Sequence, residues 1–274
     1  VPHVPEPLLD VLQRRFPDSS KTTLRKMLQG DRVRVNGAPE RDAKRMIGDD
    51  DRVEIASKSE RIDPRVRILY EDDDLIVIDK AAGLLTIASE EVRFETAEAF
   101  LNKYLITRAV EVVHRLDRDT SGVLVFAKTS YIREKLQELF AVHDIERVYV
   151  AIVYGKLKPP AGTFRSFLVE DRDLRVRIAP EGKEAITHYR TTASGHRYSM
   201  LEVTLETGRR NQIRVQLAEA GHPVVGDTMY GRGPDPELER LALHAKLLGF
   251  VHPRSGKKVT FTAELPREFR ELKL

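Results

Sequence analysis

The sequence predicts an α+β protein: a mixed, largely antiparallel β-sheet with flanking helices, preceded by a small N-terminal α/β module. Three observations carry this expectation. Up to about residue 56, apolar residues recur mainly at helical spacing, followed by short alternating runs. A polar, charged stretch containing Pro64 then covers 57–65 and reads as a linker. Beyond it, strand patterns outnumber helical ones and do not alternate with them, which favours an antiparallel sheet over repeated βαβ units. The 274 residues leave room for a small domain over 1–56 and a large one over 66–274, and a hydrophobic share of 41% suffices for a packed core.

Taken in order, Leu8, Val11, Leu12 and Phe16 mark one face of a first helix. Pro17-Asp18-Ser19-Ser20 breaks it, and Ser19 or Ser20 can cap a second helix carrying Leu24, Met27 and Leu28 before Gly30. Val33-Arg34-Val35 runs into Asn36-Gly37, a strong tight-turn signal. Asp49-Asp50-Asp51 is a turn before a closing strand with Val53 and Ile55. In the large domain, 75–79 and 122–127 are strands, with a helix over 96–105 between them and another over 131–142. Further strands are expected over 147–154, 185–192 and 198–206. A helix over 209–220 is stopped by Gly221 and Pro223, and late strands cover 241–245 and 259–263.

Composition narrows the function classes. With no cysteine, the chain has no disulfide framework and no thiol nucleophile, and it fits a reducing, cytoplasmic setting. No run is long and apolar enough to span a bilayer, and Val1-Pro-His-Val-Pro5 lacks the pattern of an export signal, so no membrane partner is expected. The eight histidines are dispersed without zinc spacing, and Glu71-Asp-Asp-Asp74 reads as a solvated turn rather than a magnesium site. No phosphate-binding glycine loop or dinucleotide fingerprint occurs, so neither metal nor cofactor is expected. A net charge of +3 permits nucleic-acid binding without demanding it. Position says more, because Arg14, Arg15, Lys21, Arg25, Lys26, Arg32 and Arg34 crowd the two N-terminal helices and the strand after them. A solvated helical face is the plain alternative for any one helix. Taken with Asp31-Arg-Val-Arg-Val-Asn-Gly37, however, the module resembles the small RNA-binding domain first described in a small-subunit ribosomal protein. That resemblance implies that Arg25, Lys26, Arg32 and Arg34 contact phosphate backbone, giving salt-dependent affinity without reading sequence.

Val113-His114-Arg115-Leu116-Asp117-Arg118-Asp119-Thr120-Ser121-Gly122 is a polar loop feeding an apolar strand, a place where a rigid scaffold can present a catalytic side chain. A capped turn is the default for any one of these residues. The whole run resembles the signature loop of the RluA-type pseudouridine synthases, His-Arg-Leu-Asp-x-x-Thr-Ser-Gly. Other family motifs follow in the same order. Tyr70 to Leu84 resembles the first motif, with Ala81 where proline is usual. Arg147-Val-Tyr149-Val-Ala151-Ile-Val153-Tyr-Gly155 is similar to the tyrosine strand, and Thr207-Gly-Arg209-Arg-Asn-Gln-Ile-Arg214-Val to the arginine motif. Gly221-His-Pro-Val-Val-Gly226-Asp227, Tyr230-Gly231, Leu243-His244-Ala245 and Phe250-Val-His-Pro253 complete the set. Arg210, Asn211 and Gln216 stand where threonine, histidine and histidine are usual.

The resemblance implies isomerisation of uridine to pseudouridine in RNA, with no metal or cofactor. Asp117 would act as nucleophile or base toward the sugar. Arg214 would keep it charged through a two-pronged contact, and Tyr149 would stack on the base and help to remove the C5 proton. The nucleotide must be extruded to reach Asp117, with Arg115 filling the vacated space. His114 and Leu243 belong to the same substrate-contact set by resemblance. Ribosomal RNA of the large subunit is the favoured substrate, transfer RNA the second candidate, and a monomer the default. Two other classes compete: a non-catalytic RNA-binding or ribosome-assembly protein on the same fold, against which Asp117, Tyr149 and Arg214 argue, and a metal-dependent hydrolase, which lacks a ligand cluster.

Overall fold

The computed structural model describes residues 5–55, 62–90, 92–105, 109–172 and 174–274. Most of the linker expected over 57–65 lies outside the described residues, as do the first four residues. The chain divides into two units: Val1–Pro64 with Glu98–Val110, and Arg65–Ala97 with Glu111–Leu274. Composition gave no sign that 98–110 would group with the N-terminal segment.

In the first unit, β1 (Glu6–Pro7) leads into α1 (Leu8–Arg15), which buries Leu8, Leu9, Val11 and Leu12 and stops at Phe16 and Pro17. The second helix, α2 (Lys21–Gln29), starts where the Ser20 hydroxyl accepts the Thr23 N–H at 3.1 Å, a side-chain cap that satisfies one of the helix's free donors. Its buried face is Leu24, Met27 and Leu28. β2 (Val33–Val35) turns into β3 (Ala38–Pro39) through Asn36 and Gly37, whose φ values of 55° and 81° are what a tight hairpin of this hand requires. β4 (Met46–Ile47) pairs with β1, and β5 (Val53–Ile55) with β2. The apolar faces of both helices and of β2 and β5 form one small core.

The second unit holds the main sheet. Its elements, in chain order, are β6 (Val66–Glu71), β7 (Leu75–Lys80), the start of α3 (Ala97–Leu105), β8 (Glu111–Val112), β9 (Ser121–Ala127), α4 (Ser130–Ala141), β10 (Glu146–Tyr154), β11 (Ala161–Glu170), β12 (Val176–Ala179), β13 (Lys183–Ser194), β14 (Tyr198–Leu205), α5 (Gln212–Glu219), β15 (Leu243–Val251), β16 (Lys258–Thr262) and α6 (Arg267–Glu271). The sheet runs β12-β11-β13-β14-β10-β15-β9-β7-β6, with β16 paired to β15 and β8 to β9. Every pairing is antiparallel except β15 against β9, so the sheet is mixed and largely antiparallel. β9 is buried at every position, as a central strand covered on both faces must be.

Three expectations need correction. β6, β11 and β12 were not anticipated; β11 and β12 carry half-exposed, charge-interrupted patterns that blur the period of two. The helix expected over 209–220 begins only at Gln212, because Asn211 takes a left-handed conformation (φ 52°) and the Gln212 side chain accepts the Thr207 hydroxyl and the Arg209 N–H at 2.8 and 2.9 Å. The strand expected over 241–245 starts at Leu243 and continues to Val251 along β10. Among the described residues no helix is long and apolar enough to cross a membrane.

Candidate active site

The loop between β8 and β9 is fixed residue by residue. His114 turns into the fold: its ring stacks on Phe140 with centroids 4.6 Å apart, and its Nε2 accepts the Val125 N–H at 3.2 Å. Burial, and then the neighbouring Arg147 charge, push its pKa down to about 3, so the ring is neutral. Leu116 is buried; its N–H donates to the Thr86 hydroxyl (3.2 Å), which in turn donates to the Leu116 carbonyl (2.9 Å). Lys80, fully buried at the end of β7, donates to the carbonyls of Ala81, Leu84 and Arg118, tying the loop to the chain beneath it. The Ser121 hydroxyl meets His244 Nδ1 at 2.8 Å. Gly122 (φ 116°) lies where β9 runs parallel to β15, and a Cβ there would sit 2.1 Å from the Ala245 carbonyl oxygen, so no other residue fits. Asp117 is left facing outward, its side chain 30% exposed.

It faces a pocket of about 590 Å³ in the second unit, a size that suits a small organic ligand. Asp117, Arg115, Tyr149, Arg214 and Leu243 all line it. Leu243 is buried at the start of β15, Tyr149 is partly buried on β10, and Arg115 is exposed. The sequence-derived set is therefore brought together, except for Arg25, Lys26, Arg32 and Arg34. Those belong to the first unit, with Arg25 and Arg34 exposed and Lys26 and Arg32 half-buried.

The Arg214 geometry corrects one expectation. Its two-pronged contact is made to Asp227, with Nε to Oδ2 at 2.7 Å and Nη2 to Oδ1 at 2.8 Å, and not to Asp117. The Asp227 side chain is fully buried, so it needs the fork of the guanidinium more than Asp117 does. The N–H groups of Met229 and Tyr230 donate to its Oδ1 as well (2.9 and 3.0 Å). Arg214 keeps Nη1 for the pocket, where it donates to Asn211 Oδ1 at 3.1 Å and lies 3.6 Å from Asp117 Oδ2. Tyr230 closes the arrangement, its ring 5.2 Å from the guanidinium and its hydroxyl accepting from Asn211 at 3.2 Å. Asp227 was missed from the sequence although it ends the run Gly221 to Asp227.

Electrostatics separate the two carboxylates. Burial raises the Asp117 pKa, and the charges of Arg214, Arg210 and Arg115 only partly offset it. Burial also acts on Asp227, but there the hydrogen bonds and charge of Arg214 win, and its pKa falls below the ordinary value. Burial raises the Tyr149 pKa as well, with Arg147 opposing. Of the three unusual residues in the arginine motif, Asn211 is used on Arg214 and Tyr230, while Arg210 pairs with Glu170 at 2.6 Å. Gln216 points into the core, donating to Ser166 and to the Ala185 carbonyl. No group of His, Cys, Asp or Glu fit to hold a metal ion occurs among the described residues.

Comparison with known proteins gives the chain a family. The family described as RNA pseudouridylate synthase matches residues 74–219, and the S4 domain matches residues 6–53. A ribosomal large subunit pseudouridine synthase D of Xanthomonas campestris pv. campestris is 33% identical over 286 residues, covering 96% of this chain and 86% of the relative. A Bacillus subtilis protein described as an uncharacterized RNA pseudouridine synthase, YhcT, is 40% identical over 213 residues, covering 75% of this chain and 70% of its own length. Among solved structures, human RNA pseudouridylate synthase domain containing 4 superposes with a TM-score of 0.63 at 25% identity, covering 74% of this chain and 90% of that one.

Proposed function

This chain belongs to the RNA pseudouridylate synthase family and carries an N-terminal S4 domain, and we propose that it converts uridine to pseudouridine through Asp117 in the pocket described above. The observation that carries the assignment is the division of labour between the carboxylates. Asp227 takes the fork of Arg214, and among the described residues Asp117 receives only Nη1 at 3.6 Å, so its oxygens stay open toward the pocket. An ionised carboxylate in that position acts on the sugar as nucleophile or as base, and either role needs the charge that Arg214 sustains.

Tyr149 serves as the platform for the base. Burial raises its pKa, which favours stacking over proton removal. Arg115, exposed at the pocket edge, takes the place of the extruded nucleotide. His114 orders the loop through Val125 and Phe140, and Leu243 supplies an apolar wall. The segment 1–56, joined through 57–65 to a catalytic domain over 66–274, acts as an RNA anchor. Arg25, Lys26, Arg32 and Arg34 make its phosphate contacts. Relatives named for the ribosomal large subunit favour its RNA as substrate; transfer RNA is the second candidate, and the cytoplasm the proposed setting. A monomer is the proposed working unit.

The test is release of label from RNA tritiated at uridine C5. Wild type should release it without added metal and Asp117→Ala should not; equal release by both would sink the assignment. A pseudouridine map of ribosomal and transfer RNA from cells lacking the protein identifies the substrate.

A further inference from the structure

A second buried arginine lines the pocket, under conditions that call for an anion. Arg147, near the start of β10, is 6% exposed. One of its terminal nitrogens, Nη2, donates to the Glu206 carbonyl at 2.9 Å and more weakly to that of Leu205 at 3.4 Å. Its Nε is buried with no hydrogen-bond partner, and no carboxylate pairs with it among the described residues. Its guanidinium lies 5.7 Å from the centre of the Phe140 ring, beside the neutral His114. The Arg209 charge, which also acts on it, is positive as well. Gly208 makes room for the side chain, since a Cβ there would come within 2.5 Å of Nη1. A buried cation normally has an acid against it, and Arg214, across the same pocket, has Asp227 and Asp117.

We propose that Arg147 is a further substrate-contacting residue, whose guanidinium holds the negative charge on the uracil ring while the base is detached from the ribose. The inference rests on the proposed reaction at Asp117. Depth selects the base over the phosphate: Arg115 and Arg210 are exposed, whereas Arg147 is reached only by what enters the pocket. Position on the strand agrees, because Arg147 stands two residues before Tyr149 and both side chains line the pocket. Chemically, the electron pair of the C1′–N1 bond leaves with the base, making a uracil anion with charge spread over N1, O2 and the ring. When C5 bonds to C1′ that charge is consumed, the C5 proton is lost and N1 takes up a proton, so the step closes without oxidant or reductant. A donor aimed at charge that appears only during reaction stabilises the transition state more than the bound substrate.

The experiment is single-turnover tritium release from C5-labelled RNA by Arg147→Ala, Arg147→Lys and Gly208→Ala, with RNA affinity and the thermal transition measured for each. The expected result is a fall in rate of about 100-fold or more for Arg147→Ala at saturating RNA, with affinity little changed. Guanidinium ion, but not the uncharged urea of similar shape, should restore part of the rate. Gly208→Ala, which displaces the guanidinium without removing it, should show a smaller loss of the same kind. Full rate in Arg147→Ala would overturn the proposal. So would a loss that appears only in RNA affinity, which would assign Arg147 to the phosphate backbone. If Arg147→Ala does not fold, Arg147→Lys and Gly208→Ala decide, and full rate in both overturns it. Failure of wild type to release label would remove the underlying reaction, which is a separate result from an unaffected variant of an active enzyme.

Discussion

The basic surface of the first unit and the charged pocket of the second use the same residue types in opposite ways. Arg25 and Arg34 stand in water, and ion pairs nearby, such as Arg41 with Asp31, keep the arginine side chain 70% exposed. Exposed pairs of that kind contribute roughly 0–1 kcal/mol each. In the pocket, the Arg214 side chain is 10% exposed and that of Asp227 not at all. Charges that attract a phosphate backbone act at a distance and add up one by one. Charges that take part in chemistry are desolvated, and each depends on its neighbour. Substitutions should therefore give graded losses in the first unit and abrupt ones in the second.

The largest expected effect is Asp117→Asn, with a loss of about 10³-fold or more in single-turnover rate, at the upper end for removal of a positioned acid or base. Stability should move the other way. The folded-state pKa of Asp117 is raised, so its contribution to stability is present below the unfolded-state value and lost as pH rises through the folded-state value. At neutral pH the ionised carboxylate is a burden, and Asp117→Asn should melt at the same temperature as wild type or higher. An inactive variant that melted well below wild type would show Asp117 to be structural. Asp227→Asn should do the reverse, costing about 3–5 kcal/mol by leaving Arg214 without its main partner and lowering activity with it. Its depressed pKa makes that stability present above the unfolded-state value and lost as pH falls through the folded-state value. Thermal melts across pH distinguish the two carboxylates.

A subtler effect concerns the acid limb of the rate profile. In the proposed role Asp117 acts ionised, and burial sets its pKa above that of an ordinary aspartate, so the rate should rise with pH through that elevated value. Removing the nearest opposing cation, as in Arg214→Met, should move the limb to higher pH. A limb at the ordinary aspartate position, unmoved by Arg214→Met, would mean that Asp117 does not govern the step.

The signature loop was legible because its fixed positions meet hard geometric demands. Gly122 faces the Ala245 carbonyl at a distance no side chain survives, and the Leu116 backbone is matched by the Thr86 hydroxyl. The two N-terminal helices were legible through their apolar faces, all of which turn into one core. What stayed hidden depended on direction rather than identity. Nothing in the sequence says which of two carboxylates meets the fork of a guanidinium, so Arg214 was assigned to Asp117 when it grips Asp227. The start of α5 was hidden by the left-handed turn at Asn211, an asparagine that could as well have been helical. Arg147 is part of a sequence motif, but its isolation from acids exists only once β10, α4 and the 206–209 segment come together around it.

The smallest effect expected is in the first unit, and its smallness is what the contrast requires. Replacing Arg25, Lys26 or Arg34 with alanine one at a time should weaken RNA binding modestly. Each lost phosphate contact should flatten the slope of log affinity against log salt by about 0.7–0.9. The melting temperature should stay put, because these side chains are at most half-buried and no hydrogen bond or ion pair of theirs is seen among the described residues. The rate at saturating RNA should stay put as well, because the pocket is lined by residues of the second unit. Arg32 differs from the other three, since its Nε is buried without a hydrogen-bond partner and burial lowers its pKa. Its replacement by methionine should therefore keep or raise stability while still reducing the salt slope. If the single alanine variants instead lose rate at saturating RNA while their salt slope is unchanged, the first unit is shaping the reaction rather than holding the RNA, and the contrast between the two regions fails.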